Sequence, residues 1–196
     1  MNESDVVRIG EELKKYDLIE KDREIKKWGT IPCIFEAITS KKILFDEELL
    51  NFFEMEAQNQ KLSAEDLIKF ALLHEEGHIV IPQEKTSGSF WSKIISVFYS
   101  KMYFQPFWNN EYHSDEYAVM GLLLNQPGLK SWRVLQSIFE ATETCQTRRN
   151  KPPTNLYKYP PSIERVKKAE KLFYKLQNAK QNEIWEYISS LKTGNP

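Results

Sequence analysis

The sequence predicts an α+β fold, mostly helical, with a small β-hairpin set against the helices. Apolar residues recur at helical spacing over most of the chain, between capping residues and Pro/Gly breaks. One interval, Ile31 to Phe45, is instead apolar and rich in β-branched residues, interrupted only by Ser40-Lys41-Lys42. With 196 residues, 41% of them hydrophobic, the chain can bury one substantial core and carry extensions at its ends.

The elements follow in order. Val6, Val7, Ile9 and Leu13 among charges give an amphipathic helix over residues 4–16, capped by Ser4 or Asp5. Residues 17–27 are highly charged and are expected at the surface. The stretches Ile31–Thr39 and Ile43–Phe45 form the hairpin, with Pro32 keeping its start at an edge. Asp46 caps a helix over 47–56 with Leu49, Leu50 and Phe53 inward. Ser63 starts a central helix that ends before Pro82, and residues 89–104 form an aromatic helix. A further helix, Glu111–Leu124, closes on Asn125-Gln126-Pro127-Gly128, and another spans 129–143. A basic, proline-rich loop covers 147–161; Ser162 opens a helix, and a last one carries Ile184, Trp185, Ile188 and Leu191. The organisation is an N-terminal helical extension (1–25), a main domain (26–178) and a C-terminal helix (179–196).

Composition narrows the function. A formal charge of −1 gives no general surface for nucleic acid. Without a run of 18 apolar residues or a leader-like N-terminus, a soluble, cytoplasmic protein is expected, with Cys33 and Cys145 as free thiols. The aromatic segment 89–108 reads first as core; its second reading is a rim on a cleft or a peripheral membrane contact.

The central helix carries His74-Glu75-Glu76-Gly77-His78, the pattern H-E-x-x-H. Residues four apart share a helix face, so two imidazoles point the same way and can grip one zinc ion, with Glu75 beside them to move a proton. The histidines continue an apolar stripe through Leu67 and Ala71, so they are expected to be buried, where stacked imidazoles need a partner. A catalytic zinc site needs a third protein ligand. Glu111, His113, Asp115 and Glu116 are the candidates. Glu111 is preferred because it opens a buried stripe that continues through Asp115, Ala118 and Leu122. Asp115 then falls one turn on, placed to accept the second ring N–H of a ligand histidine. His113 lies about 200° around the helix from Glu111.

His74-Glu75-x-x-His78 followed by Glu111-x-x-x-Asp115 resembles the gluzincin metallopeptidases of the M48 family. The turn Asn125-Gln126-Pro127-Gly128-Leu129 and the run Tyr159-Pro160-Pro161-Ser162-Ile163-Glu164-Arg165-Val166 extend the resemblance over roughly residues 30–175. It implies a zincin-like domain in the form of the soluble minigluzincins. It also implies zinc (Zn2+) on His74, His78 and Glu111, Glu75 as general base and acid, and Asp115 behind a ligand. Arg165 would stand near the active site, and Tyr159 replaces the family's usual histidine there. Either Tyr159 or Arg165 would hold the oxyanion of a scissile peptide. The implied activity is a zinc endopeptidase acting on a protein or peptide substrate, which the hairpin edge would align as an added strand. The alternatives are a regulatory protein resembling the ImmA/IrrE group, which typically has Asn where this chain has Asp115, and a non-catalytic zinc scaffold. The terminal helices either pack on the core or lie over the cleft as a latency device.

Overall fold

The structure, a computed structural model, describes residues 1–28, 35–39, 41–82, 100–148 and 160–194. Among these are seven helices and three strands, a mostly helical α+β arrangement. The helices are α1 (Glu3–Lys15), α2 (Glu47–Gln60), α3 (Ala64–Val80), α4 (Ser100–Asn125), α5 (Ser131–Arg148), α6 (Ser162–Leu176) and α7 (Gln181–Thr193). The strands are β1 (Glu24–Lys27), β2 (Phe35–Thr39) and β3 (Lys42–Phe45).

Local chemistry sets the boundaries. Asn2, not Ser4 or Asp5, caps α1: its side chain accepts from the Ser4 and Asp5 amides, and Asp5 returns a bond to the Asn2 amide. Asp46 and Ser63 cap α2 and α3, each accepting the amide two residues on. The main revision concerns α4. It runs unbroken from Ser100 through Pro106 to Asn125, so Glu111 lies within a long helix instead of opening one. A proline removes one ladder bond and crowds one carbonyl, a cost that α4 carries without ending. Of the segment 89–108, residues 89–99 lie outside the described residues.

The hairpin is present as β2 antiparallel to β3, pairing Phe35 with Phe45 and Ala37 with Ile43, with an irregularity between Ala37 and Thr39. A third strand is added where a charged surface segment was expected. β1 runs parallel to β3, Ile25 opposite Ile43, in the order β1-β3-β2. The pairing explains why exposed, charged residues can be a strand: their backbone, not their side chains, joins the sheet. Among the described residues β2 is an edge of the sheet and lies against α3, and the Phe35 ring stacks on those of Phe45 and Phe53 at 5.8 and 5.7 Å.

One core joins all of this. It contains Val6, Ile9 and Leu13 of α1, Leu18 and Ile19 of the following turn, and Ile184, Ile188 and Leu191 of α7. Both terminal helices therefore pack on the core, α1 on α3 and α7 on α4. Leu18, Ile19 and Arg23 are buried, which corrects the surface reading of residues 17–27. Cys145 is buried on the core side of α5 and is disulfide-bonded, so it is not the free thiol expected. Cys33 lies outside the described residues.

The helices bearing the motif residues cross at an unusually close contact. A Cβ at Gly77 would stand 2.9 Å from the Ser114 Cα, and one at Gly121 would meet Leu73 Cδ1 at 2.8 Å. Glycine at both points lets α3 and α4 approach until side chains on their facing stripes converge. No described helix is long and apolar enough to cross a membrane.

Candidate metal centre

α3 presents His74 and His78 toward α4, and α4 presents Glu111 and Asp115 in return. The two imidazoles meet edge to face, their planes 89° apart, with the Nε2 atoms 3.1 Å from each other. The Glu111 carboxylate straddles them: Oε2 lies 3.6 Å from His74 Nε2, and Oε1 lies 3.4 Å from His78 Nε2. Four donors arranged tetrahedrally at zinc–ligand distances stand about 3.3–3.4 Å apart. The triangle of 3.1, 3.4 and 3.6 Å is close to one face of that tetrahedron. His74, His78 and Glu111 could thus hold one metal ion, as the sequence pattern implies.

Supporting residues surround the triangle. Asp115 Oδ1 sits 3.0 Å from His74 Nδ1, though the ring N–H is not well aligned with it, so the contact is mainly electrostatic. Arg165, reaching in from α6, grips Asp115 with Nε and Nη2, each at 2.7 Å. Its Nη1 lies 2.9 Å from Glu111 Oε2. The guanidinium rests on the Phe139 ring, 4.8 Å from its centroid. Arg165 thus faces carboxylates through all three nitrogens and stands behind the ligand glutamate. Glu75 projects to the other side of the histidines. Its Oε2 accepts the Ala37 amide of β2 at 2.7 Å. Tyr159 lies outside the described residues. His113 is on α4 but outside the triangle.

The electrostatics follow from burial. Glu75, Asp115 and Arg165 are almost inaccessible. Burial opposes charge on His74, but the carboxylates of Asp115 and Glu111 outweigh it and raise the imidazole to about 10. Burial, and then the positive His74 beside it, lowers His78 to about 4. Glu111 is held down to about 2: burial works against ionisation, but His74 and Arg165 overcome it. Asp115 is likewise lowered, burial being outweighed by Arg165. Burial pushes Glu75 up to about 7, against the pull of His74 and of the Ala37 amide.

These shifts test whether the residues suit a cation. Three buried carboxylates against one guanidinium leave a charge of −2 when the imidazoles are neutral, a balance that a doubly charged ion closes. By protein groups alone, part of that charge is met by a proton on His74. The two facing nitrogens need either a proton or a metal between them, and the donor set of two imidazoles and a carboxylate is a zinc set. The residues fit the group.

Three participants carried no sequence signal. The Ala37 amide is backbone, whose use depends on where β2 lies. Phe139 is one aromatic among many in an amphipathic helix. Ser114, opposite Gly77, is marked only by the glycine inside the motif.

Compared with protein-family models, curated proteins and solved structures, the chain finds no match.

Proposed function

We propose that this chain is a zinc-dependent endopeptidase with a zincin-like domain of the glutamate-ligand type, resembling the M48 family in a soluble minimal form. The observation that carries the reading is the convergence of His74, His78 and Glu111 within 3.6 Å, with Glu75 adjacent on the same helix. A zinc ion held there would supply a Lewis acid that polarises a peptide carbonyl and makes water acidic near neutral pH.

The chain's own residues do the rest. Glu75, raised to about 7, can take a proton from the attacking water and release it to the leaving amine, an affinity suited to both steps. The Ala37 amide fixes that carboxylate, so its free oxygen keeps one direction. Asp115, 3.0 Å from Nδ1, acts on His74 through its charge, and Arg165 keeps Glu111 and Asp115 in place and ionised. Among the described residues β2 is an edge in the order β1-β3-β2, and its outer backbone groups other than the Ala37 amide could pair with an extended peptide beside Glu75. A purely structural zinc site would not need a buried carboxylic acid next to its ligands, since burying one is costly.

The test uses the purified chain with an unfolded protein such as reduced casein. Bound zinc, cleavage, and a loss of about 1,000-fold or more in Glu75→Gln, with zinc content unchanged, are expected. Zinc binding without cleavage, or cleavage indifferent to Glu75→Gln, would remove the peptidase reading.

A further inference from the structure

Behind the metal centre, on the opposite face of α3, a second charged cluster is completely enclosed. At 100° per residue, Glu76 lies about 200° from both His74 and His78. Its side chain and that of Arg23 have no exposed surface. Arg23 Nε donates to Oε2 at 2.6 Å and Nη2 to Oε1 at 2.8 Å, a two-pronged grip. The Glu20 amide adds a bond to Glu76 Oε1 at 3.2 Å, and Arg23 also reaches Glu20 Oε2 at 3.0 Å. The same segment holds the other ligand-bearing helix: the Tyr117 hydroxyl of α4 donates to the Leu18 carbonyl at 2.8 Å.

Six residues, Leu18–Arg23, therefore fasten α3 and α4 from behind, the first by a charged fork and the second by a buried hydroxyl. A buried ion pair is a poor way to gain stability, because desolvation cancels most of the attraction and an apolar pair of equal volume does as well. What a fork adds is direction. It fixes the angle of Glu76 about the axis of α3, and with it the angle of the histidines opposite. A rotation of about 10° moves a nitrogen roughly 6 Å from the axis by about 1 Å. Metal–ligand distances tolerate about 0.2 Å. The leverage is ample.

We propose that Arg23 is a positioning residue of the metal centre, acting through Glu76, and that Tyr117 on Leu18 serves the same purpose for α4. The inference rests on the metal reading above and adds to it a control from outside the motif, in the segment that precedes the sheet.

Three variants test it: Arg23→Lys, which keeps the charge but not the fork; Tyr117→Phe, which keeps the ring but not the hydroxyl; and Arg23→Met/Glu76→Leu, which removes the pair while filling its volume. Each is measured for thermal unfolding without metal, for zinc affinity against a chromophoric chelator, and for the visible spectrum of its cobalt form. Arg23→Lys and the double variant are expected to bind zinc on the order of 10-fold or more weakly and to shift the cobalt bands, whatever their melting temperature. Tyr117→Phe is expected to lose several-fold. Lower stability with unchanged affinity and spectrum would overturn the proposal; if Arg23→Lys and the double variant do not fold, Tyr117→Phe decides on the same criterion. If the wild-type chain binds neither metal, the metal reading fails by itself. Positioning is then read from the His74 and His78 ring resonances of the metal-free protein, and resonances unmoved in the folded variants overturn it.

Discussion

On one face of α3, Glu76 meets Arg23 through bonds of 2.6 and 2.8 Å, and neither side chain touches solvent. On the other face, two imidazoles turn the same ring nitrogen toward each other at 3.1 Å, with a carboxylate alongside. The first cluster is matched within the protein: the buried carboxylate of Glu76 faces the buried guanidinium of Arg23. The second brings acceptors together and leaves an excess of negative charge when the imidazoles are neutral, which a proton on His74 or a bound cation would reduce. Burial alone does not distinguish a functional cluster from a structural one. What distinguishes them is whether the protein supplies both halves of every interaction.

The comparison can be broken from either side. Glu76→Ala takes from the buried guanidinium of Arg23 its two-pronged carboxylate partner and is expected to cost about 3–5 kcal/mol in denaturant unfolding. His78→Ala removes a ring that burial and the positive His74 keep neutral near pH 7, so no buried charge is stranded by its loss. It should leave the metal-free stability within about 1 kcal/mol while abolishing zinc binding. If His78→Ala cost as much as Glu76→Ala, the two faces would not differ in the way described.

Gly77→Ala adjusts the distance between the two helices. The new Cβ would meet the Ser114 backbone at 2.9 Å, so α3 and α4 must separate. A loss of about 1–3 kcal/mol is expected, with weaker zinc binding, because the donors on facing stripes part as well. Unfolding and chelator competition on one sample check both.

The smallest effect concerns a salt link remote from the centre. Lys69, nearly buried, donates to Glu12 Oε1 of α1 at 2.9 Å and to Asn125 at 3.0 Å. That bond lowers the carboxyl of Glu12 below its ordinary value. A depressed carboxyl contributes stability above its unfolded pKa and loses it as the pH falls through the folded one. Glu12→Gln should therefore cost less than about 1 kcal/mol at pH 7, screened at this partly exposed site, and nothing once Glu12 is protonated in both states. Unfolding curves at pH 7 and pH 3 check the sign.

Much of the centre was legible because helical periodicity is a strong constraint. His74 and His78 had to share a face, and a stripe opening with Glu111 and Asp115 had to find a positive partner. The helices were legible for the same reason, down to the Asp46 and Ser63 caps. What stayed hidden depends on pairings across long separations. β1 is a run of charges whose backbone joins β3, and no side-chain pattern reports that. Arg23 and Glu76 each look like ordinary surface charges until the fold brings them together from 53 positions apart in the chain. The start of α4 was missed as well: a helix expected to open at Glu111 runs from Ser100 through Pro106.

The Arg165–Asp115 pair has a kinetic consequence. The three donors lie within one stretch of chain, His74 to Glu111, but the guanidinium that steadies them belongs to a helix fifty residues beyond Asp115. Contacts that close long loops form late. During folding the donor triangle can therefore gather before its counter-charge arrives, with the carboxylates of Glu75, Glu111 and Asp115 still repelling one another. A metal ion present at that stage would relieve the repulsion and speed the docking of α3 on α4. Refolding with and without zinc, followed at the aromatic residues, would show the two events in order.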